Sequence, residues 1–341
     1  MERPTYADIA RHAGVSTATV SRALAHKEGV SPEVADRVRE IARDLAYRGN
    51  RAARALRRQR SDAIGLVVSD VENPFFASVA REVEGVAREH GHAVLLCNTD
   101  ESLENERRYL NLMMGESVEG VIAVPSRQDA APLLELRDAG IPTVIVDRRL
   151  DGDPFDTVMV DHRGGAREVT EHVLRHGCTH VGAITPTTAE TGGHERLAGC
   201  REAVEAHGAQ LTVLEGQTSD AVGVRRSLEL GARLATRLMS LPEPPGAIFC
   251  ANNLLSLGAF RGLRAAGVRI PDDVALVGFD DTAFFDVLDP ALTVAAQPTE
   301  EIARAAAGLL YERIADPGRP AQVVVMPAEL RVRASCGRHP E

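Results

Sequence analysis

The chain has few of the residues that build disulfide frameworks, metal centres or membrane segments. Its five cysteines in 341 residues are scattered and odd in number. No two of them form a C-x-x-C pair, which favours buried thiols over a disulfide or metal framework. No apolar run is long enough to span a bilayer, and no apolar segment near Met1 resembles a signal peptide. We therefore expect a cytoplasmic protein with no membrane partner.

The sequence also lacks the short motifs that mark common enzyme sites. It has no G-x-G-x-x-G, Walker loop, G-x-S-x-G or H-E-x-x-H, so no cofactor, metal or catalytic residue is predicted. His172 and His176 stand four residues apart, but no third metal ligand is evident, and we expect both to face solvent. Asp280 and Asp281 could imitate a catalytic acid pair, yet adjacent residues rarely present both carboxyls to one substrate.

The start of the chain carries a pattern of two short helices joined by a tight turn. In the segment Tyr6–Leu24, Gly14 stands at the turn, where a positive φ costs glycine least, and Ser16 can cap the second helix. Apolar residues at i, i+3 and i+4 give that helix a buried face, and its other face carries Thr17, Ala18, Ser21 and Arg22. An ordinary helical hairpin would show the same periodicity, but the polar face favours a helix-turn-helix that enters a DNA major groove.

A third helix and a basic run follow this pair. Ser31-Pro32-Glu33 combines an N-cap serine, a proline at the first helical position and an acid in the first turn, and predicts a helix that closes a small core. Five arginines then fall within ten residues: Arg51, Arg54, Arg57, Arg58 and Arg60. A charge run alone is often a solvated linker. Directly after a helix-turn-helix, it favours a basic hinge that contacts phosphates.

Charge divides the chain at the same place. Up to Arg60, thirteen positive side chains stand against seven negative ones, a net charge of +6, whereas the whole chain carries −10, which leaves −16 for residues 61–341. A basic head on an acidic body is typical of a nucleic-acid module attached to a different kind of domain. We predict an all-α head over 1–48, a hinge over 49–60 and a body over 61–341.

In the body, short apolar runs alternate with amphipathic helices. The first runs are Ile64–Val68, Ala93–Cys97, Gly120–Val124 and Thr143–Asp147. A second series follows at Val158–Val160, His180–Ile184, Leu211–Leu214, Ala247–Cys250 and Val274–Phe279. Two consecutive βαβ series predict an α/β fold of two doubly wound parallel-sheet lobes. We expect lobe 1 to hold approximately 61–160 plus 294–321, and lobe 2 approximately 161–293 plus 322–341.

Function in such lobes is expected beyond the carboxyl ends of the strands. The polar and aromatic residues at or near these ends are Asn73, Phe75, Phe76, Asp147, Arg148, Arg196, Asn252, Asp280 and Gln297. Carboxylates and amides bind vicinal hydroxyls, arginine forks to adjacent oxygens, and aromatic rings cover the C–H face of a sugar. Core packing would explain the two phenylalanines and helix capping would explain Asp280, but their joint placement favours a polyol site.

Head and body together resemble the lactose-repressor/galactose-repressor family of bacterial transcription regulators. The motifs most specific for that family are Asp8–Arg22, Asn50–Arg57, Arg196–Gly199, Gly278–Asp281 and Pro290–Thr293. The resemblance implies a homodimer on a palindromic, double-stranded operator, with a body similar to the periplasmic sugar-binding proteins. The residues at the strand ends are similar, position by position, to those of ribose-binding proteins, which implies a ribose-like sugar as the small-molecule effector.

The same resemblance implies which residues contact DNA. They are Ser16, Thr17, Ala18, Ser21, Arg22, Asn50, Arg54, Leu56 and Arg57. Arg22 is expected to read a guanine in the major groove, and Leu56 to open a central base step from the minor groove as an apolar wedge. The hinge is too short to be stable alone, since isolated helices below roughly 12–15 residues are marginal. Paired hinges are therefore expected to fold on DNA and to separate when sugar closes the cleft.

Two positions depart from the family pattern. Gly49 stands where relatives usually have proline, which raises the cost of ordering the hinge, and Asn253 replaces a usual aspartate at the rim of the pocket. Two alternatives stay open at this point. A periplasmic-type sugar-binding protein would share the lobes but has no use for the basic head, and an α/β sugar-processing enzyme would turn over the sugars that it binds. Effector-promoted DNA binding is the alternative to effector-induced release.

Overall fold

The helix-turn-helix prediction is confirmed in the amino-terminal part of the chain. A computed structural model describes residues 4–24, 28–45, 47, 61–187, 191–217 and 223–337, and the chain divides into two separately packed units at Ser61 and Asp62. The first unit, the head, contains α1 (Tyr6–Ala13), α2 (Thr17–Leu24) and α3 (Pro32–Asp44). Gly14 ends α1 with φ +67°, and the Ser16 hydroxyl accepts the Thr19 N–H at 3.1 Å to cap α2.

The three helices of the head enclose one small core. Its buried side chains are Ile9, Ala10, Ala13, Val20, Ala23, Ala35, Val38 and Ala42. Five of these eight residues are alanines, so the helices approach closely, and larger, partly buried apolar side chains such as Leu24 and Ile41 pack around them. The Arg37 guanidinium donates to the Ala13 carbonyl at 2.7 Å, which ties the end of α1 to α3.

The second unit, the body, begins with a parallel six-stranded sheet, here called lobe 1 with its helices. Its strands are β1 (Ala63–Val68), β2 (Ala93–Asn98), β3 (Val121–Ala123), β4 (Thr143–Val146), β5 (Asp156–Val160) and β11 (Val323–Met326). They lie in the order β11-β5-β4-β3-β1-β2. The helices are α4 (Pro74–Glu89), α5 (Leu103–Gly115), α6 (Ala131–Asp138) and α11 (Thr299–Ala315). Leu66 and Val67 of β1 belong to different core clusters, so both faces of the sheet are covered.

Lobe 2 repeats this arrangement around a second six-stranded sheet. Its strands are β6 (His180–Thr187), β7 (Gln210–Gln217), β8 (Ala247–Cys250), β9 (Ala275–Phe279), β10 (Thr293–Ala296) and β12 (Glu329–Arg331), in the order β12-β10-β9-β8-β6-β7. Its helices are α7 (His162–Arg175), α8 (Thr191–Ala206), α9 (Val224–Met239) and α10 (Asn253–Ala265). All pairings are parallel except that of β12 with β10, which is antiparallel.

The predicted lobe bounds are wrong at two strands, and the second series of apolar runs wrongly begins with a strand of lobe 1. Val158–Val160 lies in β5 of the first sheet, where it pairs with β4 and β11, although the sequence grouped it with the second series. Strand β10 belongs to lobe 2 and β11 to lobe 1, so the segment that returns to lobe 1 is not 294–321 but runs from α11 to Met326. Strands β5, β10 and β11 are short apolar segments, so their sequences do not specify which sheet they join.

Close packing of α7 against α8 depends on one glycine. A Cβ on Gly199 would lie 2.1 Å from the Arg163 carbonyl oxygen and 3.0 Å from the Arg167 nitrogen. Only glycine fits this contact, because both atoms belong to the backbone of α7 and cannot move aside. The tight pairing fixes the position of α8 and therefore the direction in which the Arg196 side chain leaves it. In the Arg196–Gly199 motif, the glycine thus positions the helix that carries the arginine.

The histidine pair of α7 does not lie as predicted. His172 is buried, and its Nε2 lies 3.4 Å from the Cys336 sulfur, whereas the exposed His176 contacts it ring to ring at 4.8 Å. Burial arises because the carboxy-terminal segment covers α7, a long-range contact that helical spacing cannot predict. Four of the five cysteines are buried and Cys178 is half-buried, all as free thiols. Among the helices of the described residues, none has the length and apolarity to cross a bilayer.

Candidate functional site

The head presents the predicted DNA-contacting residues on one side of α2. Ser16, Thr17, Ala18 and Arg22 are exposed and Ser21 is half-buried, while Val20 and Ala23 point into the core. Arg22 Nε donates to the Ala18 carbonyl at 3.4 Å, one turn earlier on α2. The hinge residues Asn50, Arg54, Leu56 and Arg57 lie outside the described residues, and their roles stay predictions.

Three of the predicted effector residues form one hydrogen-bonded cluster in lobe 2. Asp280 follows β9 and is buried; its carboxylate accepts the Gln297 amide at 2.6 Å and the Arg196 Nη1 at 3.3 Å. Burial raises the pKa of the Asp280 carboxyl, and the Arg196 guanidinium and Gln297 oppose this rise. Arg196 Nη1 also donates to the Ala251 carbonyl at 2.8 Å. The guanidinium lies 4.0 Å above the Phe279 ring, a cation–π contact that fixes its plane.

The cluster reaches lobe 1 through His162, the first residue of α7. His162 Nε2 lies 2.8 Å from the Asp147 carbonyl oxygen, and Arg196 Nε donates to His162 Nδ1 at 3.2 Å. His162 is 1% exposed. Asp147 follows β4 of lobe 1 and Arg196 stands on α8 of lobe 2, so one connected set of side chains joins the predicted effector residues of both lobes.

Asp147 and Asp280 occupy equivalent places in the two lobes. Each is the residue directly after a central strand, and each has a positive φ, +68° for Asp147 and +69° for Asp280. Aspartate tolerates the left-handed region better than most residues but still at a cost. Backbone strain of this kind is concentrated at functional sites. The negative charge of Asp147 also contributes to the raised pKa of Asp280.

Arg148 is bound by the carboxylate of Glu101, which was not among the predicted site residues. Glu101 accepts both terminal nitrogens of Arg148, at 2.5 and 2.7 Å, and the Pro125 carbonyl accepts a further bond at 2.7 Å. Arg148 is buried and Glu101 is half-buried. The bidentate pair is the strong, planar type of arginine–carboxylate contact, so the charge of Arg148 is already neutralised within lobe 1.

Asn73 and Asn252 both begin helices at the cleft. The Asn73 side chain accepts the Phe75 N–H at 3.0 Å as the cap of α4, and Asn252 accepts the Leu255 N–H at 2.8 Å as the cap of α10. The buried Asn253 then donates from Nδ2 to the Asn73 Oδ1 at 3.0 Å. The residue that departs from the family pattern therefore makes a direct hydrogen bond between lobe 2 and lobe 1.

The same loop of lobe 1 makes two further contacts with lobe 2. Asp70 accepts the Gly223 N–H at 3.2 Å, and Glu72 accepts the Val224 N–H at 3.1 Å. Both donors belong to the amino-terminal end of α9, where unsatisfied N–H groups and the helix dipole favour carboxylates. Burial raises the pKa of the Asp70 carboxyl. Together with the Asn73–Asn253 bond, these contacts hold the two lobes together at the entrance to the cleft.

The Asn73–Asn253 bond can be tested with two matched substitutions. Asn253→Asp replaces the donor by a carboxylate that faces the Asn73 oxygen, so we expect the ligand-free protein to lose about 1–3 kcal/mol of unfolding free energy. Asn73→Asp keeps an acceptor for both the Phe75 N–H and the Asn253 amide. We expect this variant to lose less than about 1 kcal/mol of unfolding free energy, because asparagine and aspartate cap helices about equally well. Denaturant unfolding of both variants measures the difference, and equal losses would contradict the assigned donor and acceptor.

Phe75 and Phe76 are placed mainly by packing. Both are buried within the core cluster of lobe 1, and their rings meet edge to face at 5.0 Å between centroids. Asp281 does not form an acid pair with Asp280, because its carboxylate accepts from Arg331 at 2.8 Å and Arg333 at 2.7 Å on the other side of β9. Within the part of the chain described here, no group of three potential metal ligands occurs.

His162 and Glu101 are the residues that sequence reasoning missed. His162 stands two residues after the end of β5, and its place beside Asp147 was not expected because the sequence grouped that strand with the second series of apolar runs. Glu101 follows β2 with φ +57°, a position with no motif of its own. Its role depends on the approach of Arg148 from another strand, and such a pairing has no signal in a single sequence.

Comparison with known proteins identifies relatives of both units. The model of bacterial regulatory proteins of the lacI family matches residues 5–50, and the model of periplasmic binding protein-like domains matches residues 170–336. The ribose operon repressor of Halalkalibacterium halodurans is 36% identical over 312 residues, which cover 91% of this chain and 90% of that protein. The match therefore extends from the head through both lobes.

Solved structures give the same result for the fold. The complex of the transcriptional regulator CelR with cellobiose is 31% identical, covers 98% of this chain and all of that chain, and superimposes with a TM-score of 0.70. The lac repressor dimer bound to operator and the anti-inducer ONPF is 22% identical, with a TM-score of 0.86 over 99% of this chain and all of that chain. The latter likeness shows the shared fold, with a helix-turn-helix region and two parallel-sheet lobes.

Proposed function

Because the chain belongs to the lacI family of bacterial regulatory proteins, whose relatives found here are DNA-binding transcriptional regulators, we propose that it is a repressor of a carbohydrate-utilisation operon. It acts as a homodimer on a palindromic operator and leaves the operator when a sugar binds between the lobes. The observation that carries this proposal is the set Asp147–His162–Arg196–Asp280–Gln297, which spans both lobes at the strand ends. A ligand that changes the geometry of this set changes the relation of the lobes.

The chemistry of the cleft favours an uncharged polyol. Both guanidiniums are already paired with carboxylates, Arg148 with Glu101 and Arg196 with Asp280, so an anionic ligand would meet no uncompensated cation. A sugar hydroxyl both donates and accepts, and can therefore bind a carboxylate and a guanidinium at once. The relatives point in the same direction, since one is named a ribose operon repressor and another is solved with cellobiose. We favour a ribose-like pentose, on the likeness of the pocket residues to those of ribose-binding proteins.

Release of DNA would follow from coupling between sugar binding and the paired hinges. A ligand that binds the closed lobes more tightly than the open lobes shifts the equilibrium between them by that difference in affinity. The first lobes of a dimer would then move relative to each other, and the hinge helices from Asn50 to Arg57 would separate.

A thermal-shift screen tests the effector assignment. The panel contains pentoses, hexoses, nucleosides and sugar acids, and a ligand at 100 times its dissociation constant should add about 2.7 kcal/mol of stability. We expect a shift with a neutral pentose, weaker shifts with hexoses and none with sugar acids. The active sugar should also dissociate the protein from its operator in a mobility-shift assay. A shift with sugar acids alone would contradict the charge argument, and no shift with any pentose would overturn the ribose-like assignment.

Arg22 is the residue on which sequence preference should depend. Replacing it with alanine removes the guanidinium from the exposed face of α2, and we expect discrimination at one base pair per half-site to fall by roughly 1–3 kcal/mol. Binding to a library of operator variants measures this preference. Thr17→Ala, on the same face, is the control, since it should leave the preference at that base pair intact. A uniform loss of affinity for every sequence would make Arg22 a phosphate contact instead.

A further inference from the structure

His162 has a protonation state that its neighbours dictate. Arginine can only donate, so the Arg196 Nε–H must be accepted by an unprotonated His162 Nδ1, 3.2 Å away. The other nitrogen lies 2.8 Å from the Asp147 carbonyl oxygen, which can only accept, so Nε2 must carry the proton. The geometry therefore requires the neutral Nε2–H form, although the ring lies among the charges of Asp147, Arg196 and Asp280.

We propose that His162 is a positioning residue of the effector pocket, which aims the Arg196 guanidinium at the ligand. Arg196 commits Nε to His162 and Nη1 to Ala251 and Asp280, and Nη2 has no hydrogen-bond partner among the described residues. With the plane of the guanidinium set by the Phe279 ring, the bond to Nδ1 fixes its rotation within that plane. The two N–H groups of Nη2 are then pre-organised as a donor pair, which saves the ordering cost on binding.

His162 also carries this orientation from one lobe to the other. Its second bond ends on Asp147, whose strained backbone is the exit of β4 in lobe 1, while Arg196 belongs to lobe 2. If lobe 1 shifts relative to lobe 2, either one of the two bonds to His162 breaks or the Arg196 donor pair moves. This inference rests on the proposed function, since it assumes that Arg196 binds the effector.

Two substitutions separate the two bonds. In His162→Asn, the side-chain oxygen stands as many bonds from Cα as Nδ1 does, so the acceptor for Arg196 is kept and the donor to Asp147 is lost. In His162→Gln, the amide nitrogen takes the place of Nε2, so the donor is kept and the acceptor is lost. His162→Phe keeps the ring against Phe279 and loses both bonds.

We expect D-ribose affinity, measured by calorimetry, to fall about 10- to 100-fold in His162→Gln and His162→Phe, and less than about 5-fold in His162→Asn. Equal losses in the Asn and Gln variants, or an unchanged Phe variant, would overturn the proposal. Should the Phe variant fail to fold, the comparison of Asn with Gln decides.

A measurement without ligand separates this inference from the proposed function. In protein with ¹⁵N-labelled histidine at pH 8, the His162 resonances should show a proton on Nε2 and none on Nδ1. The opposite tautomer or a charged ring overturns the proposal whatever sugar binds. If the wild-type protein binds no sugar in the panel, the proposed sugar effector is wrong. The role of Arg196 in binding that effector is then wrong as well, even if His162 has the expected tautomer.

Discussion

Arg196→Met is expected to lower the free energy of unfolding by about 3–5 kcal/mol, as is typical when one partner of a buried ion pair is removed. Asp280, 4% exposed, would lose its cation and keep only the Gln297 amide. Methionine is the informative replacement, because its thioether can still pack on the Phe279 ring that the guanidinium covers. Denaturant unfolding of the full chain measures the loss in the transition of the body.

The pH dependence of this loss has a definite sign. Burial already raises the pKa of Asp280 above its ordinary value, and the largest opposing effect is the charge of Arg196. Without that charge, the folded-state pKa rises further, so folding increasingly favours the protonated carboxyl. Stability from such a group is present below the unfolded pKa and is lost as pH rises through the folded pKa. The deficit of Arg196→Met should therefore be smallest near pH 4 and grow toward neutral pH.

The double variant Arg196→Met/Asp280→Asn separates charge from packing. With both charges gone, we expect the loss of unfolding free energy to shrink to about 1–2 kcal/mol, the cost of an unmet acceptor at Ala251, and its pH dependence to disappear. Sugar affinity should remain at least about 100-fold weakened in both variants, because two charge-assisted contacts are gone. A double variant as unstable as the single one would contradict the stabilising role of the Arg196–Asp280 ion pair. Restored sugar affinity would show that Arg196 does not bind the sugar.

The ends of the predicted strands gave the most reliable prediction of site residues. Asp147 and Asp280 each follow an apolar run in the sequence, and both lie at the carboxyl end of a central strand with a positive φ. The rule works because parallel strands end at one edge of a sheet, so their exit residues converge without any long-range information. The head was predictable for a related reason. Gly14, Ser16 and Ser31 specify the turn and two helix starts by local chemistry alone.

Relations between distant segments were not predictable in this way. Strands β10 and β11 were exchanged between the lobes because each is a short apolar segment that fits either sheet. Glu101 and His162 were missed because their functions lie in partners 47 and 34 residues away in the chain. The role of Asn253 as a donor to Asn73 depends likewise on how the lobes meet. Such contacts arise from tertiary packing, on which helical or strand periodicity carries no information.

Ile9→Ala is expected to abolish operator binding while sugar affinity is unchanged. Ile9 is completely buried, and it is the largest of the three fully buried non-alanine side chains in the core of the head, beside Val20 and Val38. Truncation of a buried isoleucine costs about 2–5 kcal/mol, and a small domain with a single core rarely has more than about 3–5 kcal/mol of stability. The head should therefore be largely unfolded, and the recognition face of α2 would be lost with it.

The body should be unaffected, because it packs as a separate unit from Asp62 onward. Fluorescence anisotropy with labelled operator and calorimetry with sugar measure the two activities on the same full-length variant. Ile41→Ala is the matched control, since it removes the same atoms from a partly buried position of the same core and should weaken operator binding less than 10-fold. Loss of sugar affinity in Ile9→Ala would show that the units are not independent. Operator binding at the wild-type level would show that contacts beyond this core stabilise the head.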